Sequence, residues 1–258
     1  DFLPSVDNGK LLERLKEGIR VCDLGCGQGV ALNLMAKAFP NSTFVGIDNH
    51  EGAIKVGRDE SQKRRFSNVV YKAADASVIH GNRDFYEKFD YVSAFDAIHD
   101  QSHPLEVLKG IRYMLAPGGM FSMIDIKAFS NHADNLDHPM GAFLYTVSLM
   151  HCMPIGLNDN GTGLGMMWGR EQAEEMLREA GFEHIEVIEM VSVSKGDEVV
   201  PDSGKRIGRL VVNPSSREVA LVVSHLPEIS ETEYFHLWVE TREGAGLLST
   251  FRNDTIAF

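Results

Sequence analysis

Val21-Cys22-Asp23-Leu24-Gly25-Cys26-Gly27-Gln28-Gly29, followed about 20 residues later by Phe44-Val45-Gly46-Ile47-Asp48, decides the fold. A buried apolar segment runs into three alternating glycines, a helix follows, and a second strand ends in a carboxylate. A doubly wound α/β domain builds a nucleoside-binding crevice in this way. The spacing departs from the dinucleotide fingerprint Gly-x-Gly-x-x-Gly, because Val30 stands where its third glycine belongs. The third glycine is Gly29, and the pattern from Asp23 reads Asp-x-Gly-x-Gly-x-Gly.

Working outward, 258 residues suffice for one good-sized core with a small appendage. No apolar run approaches the ~20 residues that span a bilayer, so no membrane partner is expected. Residues 1–20 lack a basic start followed by an apolar stretch, so no secretory leader is expected. The chain starts at Asp1, which suggests that residues upstream are missing. A net charge of −12, from 25 basic and 37 acidic side chains, argues against a nucleic-acid partner. The short cluster Lys63-Arg64-Arg65 reads as a solvated helix end. Cys22, Cys26 and Cys152 cannot make a disulfide framework, and a cytoplasmic location is expected. The Cys-x-x-x-Cys spacing of the first two falls inside the strand–glycine unit, where small residues avoid clashes.

Strands are expected at Ile19–Leu24, Thr43–Ile47, Val69–Ala73, Phe89–Ala94, Met120–Ile126 and Ile185–Glu189. Helices are expected at Val30–Phe39, Glu51–Arg65, Pro104–Met114 and Glu171–Ala180, with Pro117-Gly118-Gly119 as a turn. This alternation predicts a mostly parallel sheet with right-handed crossovers. Residues 127–168 break the rhythm: a polar stretch, an apolar run over Met140–Met153, then a glycine-rich segment. They read as an inserted helical lid on the ligand side of the sheet, or the apolar run is a core helix. Residues 1–190 therefore form one domain. Residues 196–258 form a β-rich extension of unknown role, with short runs at Arg209–Val212, Val219–Val223, Tyr234–Glu240 and Leu247–Phe251.

The glycine pattern and its flanks resemble those of class I S-adenosylmethionine-dependent methyltransferases, over residues about 9–190. The resemblance implies S-adenosyl-L-methionine as cofactor on a Rossmann-like fold. Gly25, Gly27 and Gly29 then let backbone approach the ligand, and the helix from Val30 points its N–H groups at the methionyl carboxylate. Asp23 lies near the ammonium, and Asp48 accepts the ribose hydroxyls. Asp75 and Ala76 hold the adenine. Gln28, Asn49, Phe95 and Asp96 complete the binding set.

Phe95-Asp96-Ala97-Ile98-His99-Asp100-Gln101, Leu136-Asp137-His138-Pro139, Phe143-Leu144-Tyr145-Thr146-Val147-Ser148, His151-Cys152-Met153 and Met167-Trp168-Gly169 look like a poorly characterised subgroup whose members often carry an N-terminal winged-helix domain. Its substrates do not carry over. The segment after the fourth strand lacks the Asn/Asp-Pro-Pro-aromatic motif of base- and amide-directed enzymes, and no double-glutamate loop or Pro-Cys nucleophile is present. The family's sheet usually adds an antiparallel seventh strand, which either Arg209–Val212 or Val219–Val223 supplies here, or the sheet lacks it.

His99 is the acid–base candidate, with a structural histidine as its alternative. Asp100, Tyr145, His151, Met167 and Trp168 are the substrate-side candidates; Met166, Met167 and Trp168, with Phe143 and Tyr145, form an apolar substrate wall or take part in lid-to-core packing. His103, His132, His138 and His151 with Asp100 or Asp137 have irregular spacing, and no metal is expected. The expected reaction is methyl transfer to a small-molecule O or N acceptor by in-line displacement, where alignment is worth about 7–11 kcal/mol. A hydroxyl acceptor would use His99 as base; a neutral amine would need none. The alternative is a protein that binds S-adenosylmethionine as a sensor without turnover. A homodimer is the assembly considered.

Overall fold

The computed structural model describes residue 3, residues 6–188 and the backbone of four strands between residues 208 and 251. After helix α1 (Lys10–Glu17) the chain alternates through β1 (Arg20–Leu24), α2 (Val30–Ala38), β2 (Thr43–Asp48), α3 (Glu51–Lys63), β3 (Val69–Ala73), β4 (Phe89–Phe95), α4 (Pro104–Met114) and β5 (Leu115–Ile124). The five strands form one parallel sheet in the order β3-β2-β1-β4-β5. The doubly wound reading therefore holds. The order reverses between β1 and β4, and their C-terminal ends are where such a sheet receives a ligand.

Burial explains why these segments are strands. Val21, Cys22 and Leu24 of β1, and Tyr91, Val92 and Ala94 of β4, are buried on both faces of the sheet, as near-continuous apolar runs require. Helices α2 and α3 pack on β2 and β3, and α4 packs on β5. Val107, Leu108, Ile111 and Met114 of α4 are fully buried, contributing about 1.5–3 kcal/mol each.

Two strand boundaries differ from the sequence reading. The Pro117-Gly118-Gly119 turn lies inside β5: Leu115 pairs with Phe89 and Met120 with Tyr91, so four residues stand opposite one. Gly118, at φ +72°, carries this bulge. Among the described residues, 182–188 form no strand, so the expected strand at Ile185–Glu189 is absent over 185–188, and Glu189 lies outside the description.

Residues 127–168 are helical in short pieces: α5 (Gly141–Val147), a π-helical turn (Ser148–Cys152) and α6 (Met153–Gly156), followed by α7 (Arg170–Glu179). The apolar run is no core helix. Leu144 and Cys152 are buried while Leu149 and Met150 are 70% and 77% exposed. In the tail, β6 (Gly208–Asn213) pairs antiparallel with β7 (Glu218–Val223), and β8 (Phe235–Thr241) with β9 (Gly244–Phe251). Both candidates for a seventh strand thus pair with each other in a separate two-stranded sheet. The rest of residues 196–258 lies outside the description.

Compactness divides the chain into two units. One holds residues 14–137 and 141–186, with the sheet and the site; the other holds residues 1–13, 138–140 and 187–258. Among the described residues, no helix is long and apolar enough to cross a membrane.

Candidate active site

The loop after β1 is tied to the end of β2: Gly25 and Cys26 N–H groups donate to the Ile47 carbonyl at 2.8 and 3.1 Å. Gly25, Gly27 and Gly29 take φ of +70°, +52° and +70°, which glycine adopts without strain. Their reasons differ. A Cβ on Gly25 would stand 2.5 Å from the Ala97 Cβ, and one on Gly29 would overlap Tyr71, whose hydroxyl donates to the Gly29 carbonyl at 3.1 Å. A Cβ on Gly27 would meet no atom within 4 Å. Gly27 is therefore the glycine that faces outward from the loop, and its N–H donates to Asp48 Oδ2 at 2.8 Å. The His50 N–H donates to Asp48 Oδ1 at 2.8 Å, so each oxygen of that carboxylate is held by a backbone donor. Helix α2 begins after Gly29 with no side-chain cap, leaving its first N–H groups suited to an anion.

Asp23 is 3% exposed and accepts from Ser93 Oγ at 2.8 Å. Burial, opposed by that bond and reinforced by Asp48, pushes its carboxyl up to about 7. Asp75 is exposed, and its Oδ1 accepts from Ser77 N–H and Oγ–H at 2.8 and 2.7 Å; Ala76 is buried beside it. Gln28 and Asn49 are exposed, next to Gly27 and Asp48 in the chain. Phe95 ends β4. Asp96 follows in a left-handed conformation, φ +55°, with its N–H on the Ile124 carbonyl at 2.8 Å. A non-glycine residue held there is a strained turn at the strand's end.

His99 is 1% exposed. Its Nδ1 lies 2.9 and 3.1 Å from the two oxygens of Asp125, and its Nε2 3.3 Å from Asp100 Oδ1. Asp96 Oδ1 stands 3.7 Å from Nδ1. Burial opposes the charged ring, but Asp125, Cys152 and Asp96 outweigh it and push His99 up to about 11. These groups favour the protonated ring, and a general-base role for His99 would have to work against them.

Of the substrate-side candidates, Asp100 joins His99. Tyr145 accepts from Asn135 Nδ2 at 3.1 Å and meets the His132 ring edge-on, which places it within the lid's own packing. His151 is exposed, and its neighbour Cys152 is the residue near His99. Met167 is buried and Trp168, at 4% exposure, belongs to the hydrophobic core, which favours packing over a substrate wall. Of the irregularly spaced histidines, His103 precedes α4, His132 packs on Tyr145, and His138 Nδ1 accepts from the Met140 N–H at 3.2 Å. Asp125 and Cys152 were missed as site residues. Asp125 was legible in principle, as a carboxylate at the C-terminal end of β5, whose Ile124 pairs with Phe95.

The family described as "Methyltransferase domain" matches residues 15–187. (S)-Coclaurine N-methyltransferase of Thalictrum flavum subsp. glaucum is 31% identical over 126 residues, covering 48% of this chain and 34% of that enzyme. Ubiquinone biosynthesis O-methyltransferase of Dinoroseobacter shibae is 31% identical over 105 residues, 40% of each chain. The matches thus span 34% and 40% of these relatives' own lengths. A solved Bacillus halodurans structure, assigned as a methyltransferase, has a TM-score of 0.51 with 24% identity over 68% of each chain, a likeness of fold. The glycine loop, the sheet order and the match over most of the sheet-bearing unit agree, and the chain belongs to the methyltransferase-domain family.

Proposed function

We propose that the chain is an S-adenosylmethionine-dependent methyltransferase acting on a small-molecule O or N acceptor. The observation that carries this is the outward-facing Gly27, whose N–H is bonded to Asp48 at the ends of β1 and β2. The residues fit the cofactor. Each Asp48 oxygen takes one backbone N–H and keeps capacity for a ribose hydroxyl. Asp23 would face the ammonium, the start of α2 the carboxylate, and Asp75 the adenine amino group through the oxygen that Ser77 does not occupy. When bound, S-adenosylmethionine supplies an electrophilic methyl group on a sulfonium leaving group.

The chain's own contribution is then alignment. The glycine loop and the Asp96 turn bracket the space beyond β1 and β4, and well-aligned reactants gain about 7–11 kcal/mol. The named relatives include one N- and one O-methyltransferase, which leaves the acceptor atom to experiment. Three free thiols suit a cytoplasmic setting.

The test is calorimetric titration with S-adenosylhomocysteine, then incubation with methyl-labelled cofactor and a metabolite pool. Binding followed by a labelled small molecule is expected. Absence of binding would overturn the assignment, whereas binding without labelled product would favour the sensor reading.

A further inference from the structure

The group around His99 has the composition and close spacing from which a metal centre can be built. Ligand atoms of His99, Asp100 and Cys152 lie within 4.8 Å of one another. The 3.3 Å between His99 Nε2 and Asp100 Oδ1 equals the separation of two ligands held at about 2.0–2.1 Å from a tetrahedral ion. Among the described residues Asp100 Oδ1 is buried without a partner in hydrogen-bonding geometry, and His99 and Cys152 are each 1% exposed. Asp125 supplies the remaining element. Its carboxylate accepts from Nδ1, which leaves Nε2 as the ligating nitrogen, an arrangement that orients metal-bound histidines. Cys152 ends a π-helical turn, a local irregularity often associated with functional sites.

We propose that His99 Nε2, Cys152 Sγ and an Asp100 oxygen form a zinc site, with Asp125 as the carboxylate that orients His99. A thiolate, an imidazole and a carboxylate together favour zinc over magnesium or calcium. Binding exchanges one Zn²⁺ for the protons on Nε2 and on the thiol, both released to solvent, and no redox partner is involved. The fourth position is left for water. The ion joins the lid, through Cys152, to the loop after β4. This site goes beyond the methyl-transfer reading and is measured without cofactor or acceptor.

The test uses the full chain, stripped with a chelator and titrated with zinc and with cobalt(II) alone. One equivalent should remain through gel filtration. The cobalt form should show a thiolate-to-cobalt charge-transfer band with the intense visible bands of tetrahedral coordination. Cys152→Ser should abolish that band, and Cys26→Ser should keep it. Asp125→Asn should keep the band and weaken zinc affinity by about 10–100-fold. Weak octahedral bands in the unmutated chain, clearly substoichiometric metal, or a charge-transfer band lost with Cys26 would each overturn the proposal. The spectrum of the unmutated chain decides even where a variant fails to fold.

Discussion

The two edges of the parallel sheet treat their acids in opposite ways. At the N-terminal edge, Asp90 meets Arg20 in a forked pair, Nε–Oδ2 and Nη2–Oδ1 both at 2.9 Å, and also accepts the Arg20 N–H at 2.8 Å. Hydrogen bonding to that guanidinium holds the Asp90 carboxyl below its usual range. At the C-terminal edge, Asp48 and Asp75 are held by backbone and hydroxyl groups instead of basic side chains, and Asp23 is buried beside a serine. The first edge uses charge to hold strands together. The second keeps carboxylate capacity for a ligand, and the desolvation of Asp23 is what that costs.

If this contrast is right, substitutions at the two edges should separate affinity from stability. The largest effect is expected from Gly27→Arg: S-adenosylhomocysteine affinity should fall at least about 100-fold, ~2.7 kcal/mol, while the fold stays intact and loses only the roughly 1–2 kcal/mol of a left-handed non-glycine residue. Unchanged affinity by calorimetry would show that the loop is not the binding surface. Asp48→Ala should weaken the same ligand by about 10–100-fold, since hydrogen bonds to a charged group are worth about 1.5–3 kcal/mol.

The third prediction concerns pH. Asp23 is neutral below about 7 and ionised above it, and only the ionised form pairs with an ammonium. Ligand affinity should therefore fall by up to about tenfold per pH unit below 7 and flatten above it. Asp23→Asn should remove the slope; a slope that survives would assign it to another group. Stability of the free protein runs the other way. The fold favours the protonated form, so the Asp23 contribution is fully present in acid and is lost as pH rises from the ordinary carboxylate range through about 7.

Smaller effects complete the comparison. Gly29→Ala forces a left-handed alanine against Tyr71 and should cost about 1–2 kcal/mol in chemical denaturation. Asp90→Ala should lose only ~0.2–1 kcal/mol, because Arg20 is half exposed, and should leave ligand affinity alone. An affinity loss in Asp90→Ala would erase the distinction between the edges.

Much of this was legible before any coordinates. The glycine loop, the acids ending β2 and β3, and the alternation of β1 to β5 follow from spacing and periodicity within short segments. The bulge in β5 was read as a turn because Pro117-Gly118-Gly119 has turn chemistry, and only pairing with Phe89 and Tyr91 makes it part of a strand. Trp168 reads from sequence either as a substrate wall or as lid-to-core packing, because an apolar run does not reveal which neighbour will cover it, and its place is in the core.

His99 shows where local reading ends. A histidine after a strand that ends at a ligand crevice suggests a base, since its ordinary titration lies near neutrality. Asp125, from the end of β5, and Cys152, from the lid, supply the buried ring with partners that the local sequence does not reveal. Sequence alone determined the sheet, the glycine loop and the family, because backbone conformation and burial periodicity are properties of neighbouring residues. Tertiary structure decided the surroundings of His99 and the packing of the lid, because electrostatic environment belongs to groups that meet only when distant segments fold together.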